Sequence, residues 1–552
     1  MSAYHERPWL ARYDTAQPTD LDAEFPHAVA MFRHAAQRFP HRPLIHYFDA
    51  TLTAAELDEL SDAFAVALQE WGVAAGDRVA LYLQNVPQFV IALLGAWKAG
   101  CVAVPINPMN KQRELALLLA DSGATVLVAL RGLHESVAAE VLAETEVTWT
   151  ITTAEHEHQT RDDPRVLPEP DLDVPAGSTD LTALLDEHRG RRPVAVSLAA
   201  EDVAVLTYTS GTTGPPKGAM NTHRNIVFDA RVWRDWIGVG PDDVILGVAP
   251  LFHITGMVGH LALALLTPAP LVLTHRFEPG VVLDAVREHR PTFTVGAITV
   301  FIALLNTDAT AADLASLRRI YSGGAPIPPS TVLAFERRFG QRIHNVYGLT
   351  ETTSAAFAQP WEAEAPVDAS SGALSVGVPV YSTHARIIGE DGRELPPGEV
   401  GELVISGPQV VAGYWGKPEE TKSALPGGDL HTGDVARMDA EGWFYLVDRK
   451  KDQINAGGFK VWPREVEDVL YEHPAVREAA VVGVPDAYRG ETVRAYVSLR
   501  PDHGATPEEL VEFCKQRLAA YKYPRRVEVL PELPKTATGK LLRRELRARH
   551  TD

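Results

Sequence analysis

The chain has 552 residues, more than a single hydrophobic core organises, so two or more domains are expected. It is 45% hydrophobic and 22% charged, an ordinary balance for a globular enzyme, and its net charge is −20. That charge argues against a nucleic-acid binder, which needs a basic face to displace counterions from phosphates; a small anion in a local basic pocket stays compatible with it.

Met1 to Arg12 mixes charged and polar residues and lacks the apolar core of a signal peptide. Thr53 and Glu56 form a capping box before a helix with Leu57, Leu60, Phe64 and Leu68 on one face. Arg78 to Leu83 reads as a strand, Pro87 to Gly100 as a helix ending in glycine, and Cys101 to Ile106 as the next strand. Such alternation implies mostly parallel sheets covered by helices. The charged, proline-rich stretch Ala154 to Asp180 is expected to be a surface excursion. Val244 to Thr274 carries no Asp, Glu, Lys or Arg and is long enough to span a bilayer. Pro250, Pro268, Pro270, His253 and His260 interrupt it, so buried interior of an α/β domain is the better reading.

Beyond residue 380 the texture changes. Ala385 to Ile388, Val400 to Ile405 and Trp443 to Val447 read as short strands between glycine turns. After Lys451 comes a compact α+β pattern: a helix over Pro463 to Glu472 and strands over Ala479 to Val484 and Val493 to Leu499. A further helix there is capped by Thr506, Pro507 and Glu509. No internal repeat is evident. The two cysteines, Cys101 and Cys514, are too few for a disulfide framework or a metal cluster; they read as small buried hydrophobes and fit a reducing cytoplasm.

The densest signal is Tyr208-Thr209-Ser210-Gly211-Thr212-Thr213-Gly214-Pro215-Pro216-Lys217-Gly218, directly after the apolar strand Val203 to Leu206. Glycines let backbone approach an anion, hydroxyls and N–H groups donate to phosphate oxygens, and Lys217 adds charge. The spacing is not that of a Walker A loop. The bland alternative is a flexible Ser/Thr/Gly linker.

This loop resembles the phosphate loop of the adenylate-forming superfamily, which includes acyl-CoA synthetases, beetle luciferases and the adenylation domains of peptide synthetases. Other hallmarks follow in order. Pro250-Leu251-Phe252-His253 resembles the motif near the acyl pocket, and Tyr321-Ser322-Gly323-Gly324-Ala325-Pro326 the adenine-side loop. Tyr347-Gly348-Leu349-Thr350-Glu351 resembles the adenine-stacking and metal-binding motif, and His431-Thr432-Gly433-Asp434 the ribose-binding motif. Asp448-Arg449-Lys450-Lys451-Asp452 resembles the hinge, followed by Gly457-Gly458-Phe459-Lys460-Val461. Pro534 to Lys540 resembles the C-terminal lysine loop.

The resemblance implies an α/β multidomain protein. A large N-terminal region, residues 1–447, holds two α/β subdomains and a β-rich one. A hinge at 448–451 and a small mobile α+β lid at 452–552 follow. It implies an acid–CoA ligase in which a carboxylate attacks the α-phosphate of Mg·ATP, giving acyl-AMP and pyrophosphate, and coenzyme A then displaces AMP. Expected ATP- or AMP-binding residues are Thr209 to Gly214, Lys217, Gly324, Ala325, Pro326, Asn345, Tyr347, Gly348, Thr350, Asp434, Arg449, Lys460 and Lys540. Glu351 and Thr212 are the expected Mg²⁺ ligands, Gly457 and Gly458 the CoA-binding strip. Phe228, His253, Val300 and Gly323 are expected to line the acyl pocket. Lys540, Lys451 and His253 are the expected catalytic group: charge stabilisation during adenylation, rotation of the lid, and gating of the acyl entrance.

Each residue has a plainer alternative on its own. Tyr347 could be a core aromatic, Glu351 a solvated charge, Asp434 part of a turn, Arg449 an ion-pair partner, His253 a core histidine and Lys540 a solvated lysine near the terminus. The ordered set of motifs favours function for each. Arg449 stands where many members have glycine, a form familiar from the fatty acyl branch. The segment Gly296-Ala297-Ile298-Thr299 lacks the proline often found after this glycine, a departure at the border of the expected acyl pocket. The expected acid is a medium- to long-chain fatty acid. The alternatives are an aryl or specialised acid, or an adenylate-forming protein that loads a carrier rather than CoA. No carrier domain follows Lys540, which speaks against a peptide-synthetase module. The expected partners are an acid, ATP and CoA, with no nucleic acid and no transmembrane segment; peripheral membrane contact and a monomer or homodimer are both compatible.

Overall fold

The structure is a computed structural model describing residues 3–14, 17–169, 173–209, 216–368, 372–449, 452, 454–456, 459–486, 490–501, 503–536 and 541–549, with the backbone alone for 448, 449, 455, 459, 460 and 490. Thr53 opens the helix Ala54–Glu70 through the expected capping box: its backbone N–H donates to Glu56 Oε2 at 2.8 Å and its hydroxyl accepts from Glu56 N at 3.3 Å. The next helix, Pro87–Lys98, is buried on every face, and Gly100 turns the chain at φ +80° into the strand Val102–Pro105.

The seven-stranded sheet has the order Thr179–Asp180, Trp149–Thr153, Ala124–Leu130, Arg78–Tyr82, Val102–Pro105, Val203–Tyr208, Gly218–Thr222. Every pair is parallel except the last, an antiparallel hairpin whose connection is the glycine-rich loop. A nine-stranded sheet has a parallel centre over Pro43–Tyr47, Leu271–Leu273, Ile245–Leu246, Phe293–Gly296, Arg319–Ser322 and Ile343–Tyr347, with antiparallel strands on both edges. The strand ends that carry the expected motifs, Ser322 and Tyr347, lie at the carboxyl edge of this sheet, where open α/β sheets bind ligands.

The charge-free stretch is interior, as its sequence indicates. It contributes two strands and one continuous helix from Ile254 to Leu266, with a π-helical middle at Met257–Ala262, and nearly all of it is buried. Among the described residues no helix is long and apolar enough to cross a membrane. The described residues from Ala154 to Asp180 lie largely at the surface, as expected, but the stretch is docked there. Val166 and Leu167 are buried, and Arg161–Glu288 and Arg165–Asp284 ion pairs fasten it to the helix Pro279–His289. Buried Val166 and Leu167 and the two arginines Arg161 and Arg165 give it a docked surface that turn-residue counting does not register.

A four-stranded antiparallel sheet follows: His384–Ile388, Gly401–Ser406, Leu430–Met438 and Phe444–Arg449. Its last strand extends beyond the expected Val447, pairing Asp448 with Val435 and Arg449 with Asp434. The C-terminal unit has its own sheet of five strands and its own core around Val466, Leu470, Val481, Val497 and Leu510. The helix Pro507–Lys515 starts at the expected Thr506–Glu509 capping box. Cys101 and Cys514 are buried free thiols, both pushed up to about 12 by burial.

Candidate active site

The glycine-rich loop is closed at its neck by Thr209 N donating to Lys217 O at 3.0 Å. Residues 210–215, which include the expected Ser210, Gly211, Thr212, Thr213 and Gly214, lie outside the described residues. The strand leaving the loop is held by a second segment: Trp415 N donates to Gly218 O at 2.8 Å and Met220 N to Gly413 O at 2.9 Å. This pairing brings Tyr414 beneath the loop lysine. Lys217 Nζ lies 5.2 Å from the Tyr414 ring centroid, and the Tyr414 hydroxyl donates to Glu351 Oε1 at 2.6 Å. Burial and the neighbouring Glu351 carboxylate raise the phenol well above its usual range, so it stays a donor. Sequence reading missed Tyr414; the only local signal was an aromatic eight residues past the Ser406-Gly407 turn, which is no signal for a site.

Glu351 stands on a tight turn after the strand Ile343–Tyr347. A Cβ on Gly348 would sit 1.4 Å from Ser354 O, so no other residue fits there, and Thr353 and Ser354 take φ of 52° and 110°. The turn is fastened from below. Buried Asn221, on the strand leaving the phosphate loop, donates to Thr350 O at 3.2 Å and to Thr353 Oγ1 at 3.0 Å. Asp229 Oδ2 accepts from Ala355 N at 3.1 Å; burial raises this carboxyl far above the ordinary range.

Tyr347 and Asp434 meet. The Tyr347 hydroxyl donates to Asp434 Oδ2 at 2.8 Å, and both residues are buried. Asn345 is turned inward, its amide donating to Ser375 O at 2.9 Å. Gly324 takes φ +78° and faces open space, with Ala325 half-buried and Pro326 exposed beside it. An open cleft of about 450 Å³ borders Lys217, Glu402, Glu420, His431, Thr432 and Gly433. Glu402 Oε1 accepts from Gly433 N at 3.3 Å and lies 3.8 Å from His431 Nδ1.

On the expected acyl side, half-exposed His253 caps the helix that begins at Ile254, its Nδ1 accepting from Thr255 N at 3.3 Å. His260, in the same helix, is wholly buried; its Nε2 accepts from Val295 N at 3.2 Å, and burial lowers its pKa to about 3. The two histidines of this stretch thus differ in kind. Gly323 N donates to Gly296 O at 3.2 Å, and a Cβ on Gly323 would meet Val346 O at 2.4 Å. Phe228 is fully buried in the largest core, whereas Val300 belongs to a separate cluster. Lys451, Gly457, Gly458 and Lys540 lie outside the described residues, and for Arg449 and Lys460 only the backbone is described.

Known proteins resemble this chain over nearly its whole length. The AMP-binding enzyme family matches residues 32–415, and the AMP-binding enzyme C-terminal domain matches residues 465–540. A long-chain-fatty-acid–CoA ligase of Bacillus subtilis is 37% identical, with 99% of each chain covered. A feruloyl-CoA synthase of an Amycolatopsis species is 38% identical, covering 93% of this chain and 97% of its own. Among solved structures, a benzoate CoA ligase from Burkholderia xenovorans superposes with a TM-score of 0.83 at 28% identity, covering 95% of this chain and all of its own. The chain belongs to the AMP-binding enzyme family. It is an acid–thiol ligase of the AMP-forming kind, an ATP-dependent acyl-CoA synthetase that uses a carboxylic acid, ATP with Mg²⁺, and CoA. The donors present fit such a metal. Glu351 offers one carboxylate beside the phosphate loop, and no cluster of three or more ligating side chains occurs among the described residues. Mg²⁺ keeps waters and phosphate oxygens as its other ligands, so a single carboxylate suffices.

Proposed function

We propose that this synthetase acts on medium- to long-chain fatty acids in the cytoplasm. The carrying observation is the end-to-end similarity, 35–37% identical, to bacterial long-chain-fatty-acid–CoA ligases. The Asp448-Arg449-Lys450-Lys451-Asp452 form of the hinge supports the same branch. In this reading Thr209 to Gly214 and Lys217 hold the ATP phosphates, and Tyr347 with the segment Gly324 to Pro326 faces the adenine. Asp434 takes the ribose, Glu351 and Thr212 hold Mg²⁺, and Lys540 stabilises charge on the joining carboxylate and α-phosphate. His253 guards the acyl entrance near Val300 and Gly323. Gly457 and Gly458 let the pantetheine arm pass close to the backbone.

A second reading, an aryl acid, is favoured by one observation: feruloyl-CoA synthases are equally similar to this chain, at 38% identity. Pyrophosphate release measured over acids of varied length and aromaticity, with and without CoA, separates the readings. Straight-chain acids of about eight or more carbons should lead, with steep length dependence, because each buried methylene contributes about 0.8 kcal/mol. A clear optimum on an aromatic acid sinks the fatty-acid assignment. Acyl-AMP accumulating with CoA present, for every acid, points instead to a carrier as acceptor.

A further inference from the structure

The turn that carries Glu351 is strained, and much of what holds it comes from outside. Thr353 and Ser354 take φ of 52° and 110°, a region that residues with side chains rarely adopt and that persists only where the surroundings impose it. Hydroxyls of the turn supply part of the hold: Leu349 N donates to Thr352 Oγ1 at 2.8 Å, and Thr353 Oγ1 donates to Gln409 O at 2.8 Å. Val411 N donates to Glu351 O at 3.0 Å. The rest comes from one continuous stretch of chain, the strand Gly218–Thr222 and the helix His223–Ile237 that Thr222 caps. From the strand, Asn221 clasps Thr350 O and Thr353 Oγ1. From the helix, Asp229 Oδ2 accepts from Ala355 N at 3.1 Å, and one turn on Trp233 Nε1 donates to Ser354 Oγ at 3.3 Å. Positions four apart share a helix face, so these two side chains reach adjacent residues of the turn.

Asp229 is the least expected of these groups. It is wholly buried, and its Oδ1 meets no hydrogen-bond partner among the described residues. A full charge there, with one hydrogen bond, would be uncompensated, and burial keeps the carboxyl neutral. An apolar side chain would occupy such a place at lower cost. What the carboxyl adds is an acceptor for the amide N–H that directly follows the two positive-φ residues, and so a fixed exit for the turn.

We propose that Asp229 is a positioning residue for adenylation: through Ala355 N it holds the turn 348–355 in its strained form and so aims the Glu351 carboxylate, with Trp233 in support. This rests on the proposed role of Glu351 as Mg²⁺ ligand. The helix that carries Asp229 continues the strand that leaves the phosphate loop, so the place of Glu351 is referred directly to that loop's exit. Tyr414 holds the carboxylate itself, and Asp229 holds the backbone beneath it. Partners that orient a metal ligand matter nearly as much as the ligand.

The test compares Asp229→Asn, Asp229→Leu, Asp229→Ala and Trp233→Phe with the parent in the full chain. Asn keeps a neutral acceptor of the same shape. Leu and Ala both remove the acceptor, one of them keeping the volume, so a folded variant of either kind serves. Phe keeps an aromatic ring and loses one N–H. The first readout needs neither metal nor catalysis. Hydrogen exchange over residues 348–356 should speed up by about tenfold in Asp229→Leu or Asp229→Ala and by about threefold in Trp233→Phe. It should stay within about twofold of the parent in Asp229→Asn, with the strand Val476–Asp486 unchanged throughout. The second readout is a Mg²⁺ titration of pyrophosphate release. Without the acceptor, the half-maximal rate should need about tenfold more Mg²⁺, while the rate at saturating Mg²⁺ returns to within about threefold of the parent. Thioester formation from preformed acyl-AMP and CoA should be unchanged, and Asp229→Asn should restore the parent's Mg²⁺ requirement. Unchanged exchange over 348–356 in a folded Leu or Ala variant overturns the proposal. So does a loss that added Mg²⁺ does not relieve and that falls equally on both half-reactions, which would mark Asp229 as structural only. Glu351→Gln is the control for the underlying reading. If its Mg²⁺ requirement equals the parent's, Glu351 is no metal ligand, and the exchange result still decides whether Asp229 holds the turn.

Discussion

Tyr414 joins three parts of the site, two through its side chain and one through its backbone. Its ring lies under Lys217, its hydroxyl holds Glu351, and its backbone pairs with the strand leaving the phosphate loop. Tyr414→Phe removes only the hydroxyl, so Glu351 loses its orienting donor while Lys217 keeps its aromatic neighbour. With Glu351 in its proposed role as Mg²⁺ ligand, we expect a higher Mg²⁺ requirement and a pyrophosphate-release rate reduced about tenfold, the scale of losing one orienting partner of a metal ligand. Tyr414→Leu should be worse, because the cation–π contact goes as well. A Mg²⁺ titration of both variants checks the order. His260 makes a different point at the same scale. Burial depresses its pKa to about 3, so the unfolded chain binds its proton first. Its contribution to stability is full above pH 6.5 and is lost as pH falls toward the folded value. His260→Gln keeps an acceptor for Val295 N but cannot titrate. The stability gap between parent and variant should therefore narrow by about 1.4 kcal/mol per pH unit below 6.5, read from urea midpoints at several pH values.

The helix Pro87–Lys98 has no solvent face, and it ends in a lysine that is 3% exposed. Lys98 Nζ bonds Asp58 Oδ1 at 2.6 Å and Asp62 Oδ1 at 2.7 Å, both on the neighbouring helix Ala54–Glu70. Gly95, one turn earlier, lets the two helices close: a Cβ there would lie 2.6 Å from the Phe64 ring. The pair thus packs by steric fit at Gly95 and by charge at Lys98. Lys98→Met leaves Asp62 nearly buried, with Arg192 and Arg33 at 3.9 and 4.0 Å as the cations left to it among the described residues. We expect a loss of about 3 kcal/mol or more. Adding Asp62→Asn should recover part of it, since the uncompensated charge is what costs. Denaturant midpoints of the two variants decide; equal stability of parent and Lys98→Met would refute the account.

At the scale of the whole molecule, two half-reactions need different chemistry at one place. Adenylation wants a cation beside the forming acyl-phosphate bond; thioester formation wants it withdrawn and a path opened for a thiol. In the proposed reading the small C-terminal domain turns about the segment after Arg449 and presents one surface and then the other. Lys540→Ala should lower adenylation by about two to three orders of magnitude, a loss of about 3 to 4 kcal/mol in transition-state stabilisation. Given preformed acyl-AMP and CoA, the same variant should make thioester at nearly the parent rate. Equal abolition of both steps in a folded protein would defeat the rotating-domain reading.

Local information carried much of this protein. The capping boxes at Thr53 and Thr506, the proline-headed helices and the strand leading into the phosphate motif depend on residues within a few positions of one another, so the sequence alone determines them. The buried nature of Val244 to Thr274 follows from its composition together with its prolines. What only the tertiary structure decided is which distant residues complete the site. Tyr414 reaches Glu351 across 63 positions, Tyr347 reaches Asp434 across 87, and Asp229 reaches Ala355 across 126. No periodicity records such pairs, because sheet order, not sequence order, sets the distances. The same reason separates His253 from His260: both interrupt one apolar run, but only the fold places one at a helix's open end and the other against the backbone of a central strand.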